Sequence, residues 1–165
     1  AAAARRPRVA GISGERALIL PFTEGLIRTT HFDQECRALA DRHYSRRTPG
    51  ASQFCYSGRK LVLRDAWADV LFVWMFPDPS MRMDGQTGYN CAIFRNESRR
   101  QSSEIILEAE ALAVARWGPN RGYTYIDPRK IASVNPGYCF KVAGWRFARR
   151  GKNGKHLLVK EALKA

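Results

Sequence analysis

Residues 89–127 read YNCAIFRNESRRQSSEIILEAEALAVARWGPNRGYTYID and set out a strand, a basic loop, a helix and a second strand. The apolar and aromatic positions of Tyr89–Arg95 predict the first of these strands. A helix capped by Ser102 or Ser103 follows, and a Gly-Pro pair ends it after Arg116. Tyr123–Asp127 then predicts a short strand that ends at a carboxylate. Strands that alternate with helices in this way indicate an α/β or α+β architecture.

Similar signals predict the elements on either side of this stretch. Further strands are predicted at Ala17–Leu20, Gln53–Tyr56, Lys60–Leu63 and Val70–Phe76. Helices are predicted at Phe32–Tyr44, with Thr30 or Asp33 at its start, and at Gly137–Val142. A hairpin of Trp145–Arg149 and Lys155–Lys160 completes the pattern, and the polar segment Asp78–Gly88 is predicted to be a mobile loop.

Length and composition favour a single domain. The 165 residues are 45% apolar, which is enough for one core, whereas two halves would each be short of one. We expect residues 1–14 to form a tail, disordered or added to the natural sequence, and residues 15–165 to form the domain. No apolar run approaches the roughly 20 residues of a membrane span, and no signal-peptide pattern is present. We therefore expect a cytoplasmic protein without a membrane partner.

The chain has a large excess of positive charge and no cysteine pattern typical of a metal site. Lys and Arg total 28 against 15 acidic residues, a net charge of +13, and the four cysteines form no Cys-x-x-Cys pair. Because like charges repel, this excess favours a polyanionic partner such as a nucleic acid. The alternative is a charge that serves solubility alone. The residues expected to bind the nucleic acid are Arg46, Arg47, Arg149, Arg150 and Lys152.

A first cluster of candidate reactive side chains lies at the end of the first predicted helix. Tyr44 is suited to orient or protonate a substrate, and its neighbour His43 is suited to move a proton. The alternative is a helix C-terminus whose cations complement the helix dipole, with Tyr44 packed in the core.

A second cluster lies in the loop before the long helix. Free N–H groups at a helix N-terminus, together with flanking arginines, favour the binding of an anion. The alternative is a solvated basic loop. The residues of this expected anion site are Arg95, Ser98, Arg99, Arg100 and Ser103.

Two single residues complete the candidate site. Asp127 ends a strand, where α/β folds place ligand-contacting groups, so its carboxylate is suited to accept a proton from an amine. The alternative is a turn, because Asp-Pro commonly opens one. Tyr138 lies beyond the last strand before the hairpin and is a second candidate reactive tyrosine. The alternative is a Tyr138 side chain that packs in the core.

The order of these elements resembles the GNAT acetyltransferase superfamily, in which a central pair of strands splays apart to form a cofactor slot. The segments His43-Tyr44-Ser45 and Pro136-Gly137-Tyr138, with Arg95, Ser103 and Asp127, resemble in order and spacing the Mom family of phage DNA-modification proteins. The resemblance implies a GNAT-like fold: a central mixed, largely antiparallel sheet with splayed middle strands, flanked by helices. The usual glycine-rich Arg/Gln-x-x-Gly-x-Gly/Ala pattern of that superfamily is absent.

The resemblance also implies a function. Mom-like enzymes convert adenine in phage DNA to its N6-carbamoylmethyl form, which protects the DNA from host restriction in the cytoplasm of the infected cell. Tyr44, Asp127, Tyr138 and His43 would be catalytic. The basic loop around Arg95 would bind the cofactor, acetyl-CoA or a related acyl donor. A metal requirement and the oligomeric state, a homodimer included, stay open.

Three other functions remain as alternatives. The chain could acylate another hypermodified base, such as an aminomethyl pyrimidine in phage DNA. It could instead be a non-catalytic nucleic-acid-binding protein, an alternative favoured by the missing glycine pattern. A conventional small-molecule acetyltransferase would explain the fold but not the charge.

Overall fold

The computed structural model describes residues 25–81 and 84–164. Within them the strands are β1 (Ile27–Thr29), β2 (Arg59–Arg64), β3 (Val70–Phe76), β4 (Tyr89–Asn96), β5 (Gly122–Ile126), β6 (Arg146–Arg150) and β7 (His156–Lys160). The helices are α1 (Gln34–Asp41), α2 (Ser102–Trp117) and α3 (Tyr138–Val142), with single 3-10 turns at Pro79–Met81 and Pro128–Lys130. The strands form one sheet in the order β1-β2-β3-β4-β5-β7-β6. Among these seven described strands, only β4 and β5 pair in parallel.

Helices cover both faces of the sheet, which explains why β3 reads as a continuous apolar run. On one face, α1 packs through Cys36, Leu39 and Ala40 onto side chains of β2, β3 and β4. On the other face, α2 and α3 pack through Ile106, Phe140 and their neighbours onto the same strands. The core is therefore divided by the sheet into two apolar layers.

The middle strands splay apart. β4 and β5 pair over three positions and no further, the last being Cys91 with Thr124, whose Oγ1 donates to the Cys91 carbonyl at 2.9 Å. The register between β3 and β4 shifts at this level, which leaves Ala92 as an extra, bulged residue. Because a bulge bends the strand that carries it, β4 turns away from β5 here. This largely antiparallel sheet with splayed middle strands and flanking helices confirms the predicted α+β, GNAT-like fold.

Most predicted elements are present, and three predictions are corrected. The strand predicted at Gln53–Tyr56 is wrong, because the guanidinium of Arg46 donates to the carbonyls of Gln53 and Ala51, each at 2.9 Å, and holds this segment as a loop. The first helix is shorter than Phe32–Tyr44, and Asp33 is its cap.

The third correction concerns the cap of α2. Its N-cap is Gln101, and Ser102 instead accepts a hydrogen bond from Asn96 at 3.0 Å. The sequence also gave no sign of β1, which pairs with β2. The strand predicted at Ala17–Leu20 and the tail at residues 1–14 lie outside the described residues.

A glycine and a buried ion pair position α3. Gly137 precedes α3 with φ +76°, and a Cβ there would lie 2.6 Å from Cδ1 of Ile126, so the close approach to β5 requires glycine. Glu110 of α2 is buried; its carboxylate accepts from Trp145 Nε1 at 2.7 Å and from Lys160 Nζ at 2.5 Å. Lys160 also donates to the carbonyl of Ala143 at 2.9 Å. These contacts join α2, β7 and the end of α3.

Candidate functional site

Two open cavities adjoin at the splay between β4 and β5. The α3-side cavity has a volume of about 330 Å³, and its lining includes His43, Phe94, Thr124, Ile126, Tyr138 and Cys139. The α1-side cavity has a volume of about 420 Å³, and its lining includes Arg46, Arg47, Phe54, Tyr56, Asn90 and Lys155. Four residues line both cavities, namely Tyr44, Cys91, Ala92 and Tyr125. The splay therefore brings two separate binding spaces together.

Tyr44 lies at this junction with its hydroxyl proton available to a ligand. Its hydroxyl oxygen accepts the backbone N–H of Asp127 at 3.4 Å. Burial raises the pKa of Tyr44, so the hydroxyl keeps its proton at neutral pH. Among the described residues no acceptor for that proton is found, so Tyr44 can donate it to a group bound at the junction.

His43 supports the ring of Tyr44. The two rings stack with centroids 4.4 Å apart and an angle of 28° between their planes. Nδ1 of His43 accepts the backbone N–H of Ser45 at 3.2 Å, so the proton of the neutral ring lies on Nε2. Burial, and to a lesser extent the charge of Arg95, lowers the pKa of His43 to about 4. The ring is thus neutral at pH 7 and orients Tyr44.

Arg42, Glu97 and Arg95 form a charged brace beside this pair. Arg42 donates to both carboxylate oxygens of Glu97, at 2.9 and 2.8 Å. Arg95 donates to Glu97 at 2.6 Å and to the carbonyl of Arg42 at 2.7 Å. The hydrogen bond from Arg42, the largest of several causes, lowers the pKa of Glu97 to about 2. The brace fixes the end of α1, and with it His43 and Tyr44, against the end of β4.

Asp127 lies at the predicted carboxyl end of a strand, but its carboxylate is bound to a neighbouring arginine. Its side chain is buried, and its two oxygens accept from Nε and Nη2 of Arg129 at 2.8 and 2.9 Å. These hydrogen bonds lower the pKa of Asp127 to about 2. Asp127 also caps the 3-10 turn that follows it, as the Asp-Pro alternative predicted. Its backbone N–H reaches Tyr44, but its carboxylate is already paired.

Tyr138 shares the α3-side cavity with His43 and Tyr44. It is the first residue of α3, and 61% of it is exposed. The structure therefore brings three of the four predicted catalytic side chains to one cavity. Tyr138 does not line the α1-side cavity, so of these three only Tyr44 contacts both spaces.

Sequence reasoning missed Tyr125, which also lies at the junction. Its hydroxyl donates to Oδ2 of Asp84 at 2.9 Å. Burial, followed by this contact with Asp84, raises the pKa of Tyr125. The sequence does contain one signal for Tyr125. Side chains alternate along a strand, so Tyr125 is on the same side of β5 as Asp127 and near the same carboxyl end. The link to Asp84, 41 positions away, has no such signal.

The basic loop between β4 and α2 satisfies most of its own polar groups. Asn96 accepts the N–H and the hydroxyl of Ser98 at 2.9 and 2.6 Å, and its amide donates to the carbonyl of Arg100. The guanidinium of Arg100 pairs with Glu108 at 2.6 Å, as that of Arg95 pairs with Glu97.

The remaining donors near this loop are few. Arg99 is exposed, and the N-terminus of α2, where Ser103 lies, has no side-chain cap. A pyrophosphate would need free backbone amides and glycines, and this loop has no glycine. The loop therefore lacks the glycines of the expected pyrophosphate site, and we assign no step to acetyl-CoA.

The structure places the residues predicted to contact DNA in three different environments. Arg46 is internal, because it donates to Asp41 at 2.7 Å as well as to the loop carbonyls. Arg47 is exposed and lines the α1-side cavity, together with Lys155, which was not predicted. Arg149, Arg150 and Lys152 are exposed on the β6–β7 hairpin. Arg149 lies opposite Leu157, which in turn lies opposite Tyr125, so this arginine is two strands away from the junction.

Comparison with models of known protein families, with curated proteins and with solved structures finds no match to this chain. Within residues 25–81 and 84–164, no group of three His, Cys, Asp or Glu side chains is arranged to hold a metal ion. In the same part of the chain, no helix is long and apolar enough to cross a membrane. The fold and the geometry of the splay are therefore the basis for any functional assignment.

Proposed function

We propose that the protein is a DNA-modifying transferase that alters the N6 amine of adenine in phage DNA. The product would be of the N6-carbamoylmethyl type and would protect the DNA from host restriction in the host cytoplasm. The observation that carries the proposal is the meeting of two cavities at the splay. Among the described residues that line them, Lys and Arg occur in the α1-side cavity alone. A polyanion and a donor molecule can then approach the same point from opposite faces of the sheet.

The charge of the chain supports nucleic acid as the acceptor. The net charge is +13, Arg47 and Lys155 line the α1-side cavity, and Arg149 lies two strands away from Tyr125 of the same cavity. An adenine inside a duplex cannot reach the junction, so the base would be turned out of the stack, at a cost of roughly a few kcal/mol. Contacts to phosphates would offset that cost.

Tyr44 would carry the proton transfer. As the adenine nitrogen forms its bond to the transferred group, the bond between that group and its carrier breaks. Tyr44 gives its hydroxyl proton to the departing carrier and regains one from the amine, so the proton count balances. Because burial raises its pKa, Tyr44 carries its proton at neutral pH, so it takes part as the phenol and not as a tyrosinate base. The N–H of Asp127 and the ring of His43 hold the hydroxyl in place.

The test is the mass of nucleosides from DNA that is expressed together with the protein. We expect a deoxyadenosine heavier by one carbamoylmethyl group. Tyr44→Phe should lower its yield by about 100-fold while DNA affinity is retained, and Tyr138→Phe should lower it less. A modified pyrimidine would overturn the assignment to adenine. DNA binding without any modified nucleoside would overturn the assignment as an enzyme.

A further inference from the structure

One polar atom in the wall of the α1-side cavity has no partner. Asn90 of β4 lines this cavity, and its Oδ1 is buried without a hydrogen bond among the described residues. Buried polar atoms are nearly always paired, so an unpaired one needs an explanation. Rotation about the last side-chain bond exchanges the oxygen and the amide nitrogen of Asn90, so either can face the cavity.

The surroundings of Asn90 define what could pair with it. The aromatic rings of Tyr44 and Tyr125 line the same cavity, and Tyr56 lies in its wall with 71% of its surface exposed. Rings in this position provide flat apolar surfaces against which a planar ligand can stack.

Charge narrows the choice of ligand. Arg47 and Lys155 line the cavity, and no described Asp or Glu does. Arg46 also lines it, but its donors are held by Asp41 and the loop carbonyls. A ligand that suits these residues is planar, has donors and acceptors on one edge, and carries negative charge at one end. The volume of about 420 Å³ falls within the roughly 300–1,000 Å³ of small-ligand sites.

We infer that the α1-side cavity is a site for one unstacked adenine nucleotide. The carboxamide of Asn90 contacts the base edge, since Asn pairs with N6 and N7 of adenine. The tyrosine rings contact the base faces, and Arg47 and Lys155 contact the flanking phosphates. This inference rests on the proposed function for its substrate class, and it adds the residues that read the base.

The test compares base preference with phosphate contacts. The probes are a short fluorescein-labelled oligothymidylate and the same strand with one central dT replaced by dA, dC or dG. Fluorescence anisotropy with wild-type protein should show binding about fivefold tighter for the dA strand than for the unsubstituted one. Asn90→Leu, which is similar in size, should remove this preference and leave the affinity for oligothymidylate unchanged. The variant should also melt no lower than the wild type, because it removes an unpaired polar atom.

The cations have a separate expected result. Arg47→Gln and Lys155→Gln should weaken binding to all four strands equally and reduce the salt slope by about one each. Lys164→Gln is the matched control, because this exposed lysine follows Leu163, which bonds to Asn120 at the other end of β5. Its binding should equal that of the wild type.

Three results would overturn the inference: no preference for dA in the wild type, a preference that survives Asn90→Leu, or an Asn90→Leu variant that melts lower. The nucleoside masses described above do not depend on these measurements. If adenine is modified but Asn90 has no effect on base preference, this inference is refuted and the proposed function stands. If the preference for dA depends on Asn90 but no DNA is modified, the assignment as an enzyme is refuted and the nucleotide site stands.

Discussion

Glu97→Gln removes the charge at the centre of the Arg42–Glu97–Arg95 brace and keeps the size of the side chain. In the native protein the pKa of Glu97 is about 2, against an ordinary value of 4.5. At 1.36 kcal/mol per pKa unit, this difference corresponds to about 3.4 kcal/mol. The side chain is 31% exposed, so solvent screens the pair, and we expect a loss of about 1 kcal/mol in the free energy of unfolding at pH 7.

The pH dependence of this loss is the sharper measurement. A carboxyl whose pKa is lowered by folding stabilises the protein above its unfolded pKa, and this contribution disappears as pH falls through the folded value. The difference between wild type and Glu97→Gln should therefore shrink from about 1 kcal/mol to near zero between about pH 5 and pH 2. Urea unfolding at several pH values measures it, with Glu104→Gln as a control for the loss of one exposed carboxylate. A difference that stays constant over this range would show that the brace is not electrostatic.

Two further predictions concern the core and the DNA. Glu110→Ala should lower the free energy of unfolding by about 3–5 kcal/mol, because it leaves Lys160 and the indole of Trp145 without their buried acceptor. The double variant Glu110→Leu with Lys160→Met should recover most of this stability in urea unfolding. A double variant as unstable as Glu110→Ala would contradict the explanation. If Arg47, Arg149, Arg150, Lys152 and Lys155 each neutralise one phosphate, log affinity for duplex DNA should fall with log salt at a slope of about −4 to −5, and a flat response would contradict a DNA interface.

The parts of the fold that follow from local patterns were predictable. Val70–Phe76 is apolar at every position, and the structure places it inside the sheet. The last hairpin has glycines at its turn and strands on either side, and it forms as predicted. The splay is less visible in sequence, because Ala92 is an ordinary strand residue until its register with β3 is known.

The candidate site was predictable in position more than in role. Local motifs located Tyr44 and Tyr138, both of which reach the α3-side cavity. The sequence did not predict the ion pairs of Arg95 with Glu97 and of Arg46 with Asp41. A sequence shows that a cation is present, but it does not show whether its hydrogen-bond donors are already paired. For Asp127, by contrast, the partner Arg129 is only two residues away, and the turn predicted from the Asp-Pro pair is present.

β6, which lies at one edge of the described sheet, has consequences for self-association. All five of its residues are exposed, three of them are arginines, and its register with β7 is interrupted between Phe147 and Arg149. Unpaired strands at a sheet margin invite other chains to add to them, and charge and bulges oppose this addition. Arg149 and Arg150, which contact DNA in our proposal, would therefore also oppose the addition of a strand from another copy of the protein. Replacing these two arginines with β-branched apolar residues to abolish DNA binding would favour such self-association, so glutamine is the safer substitution.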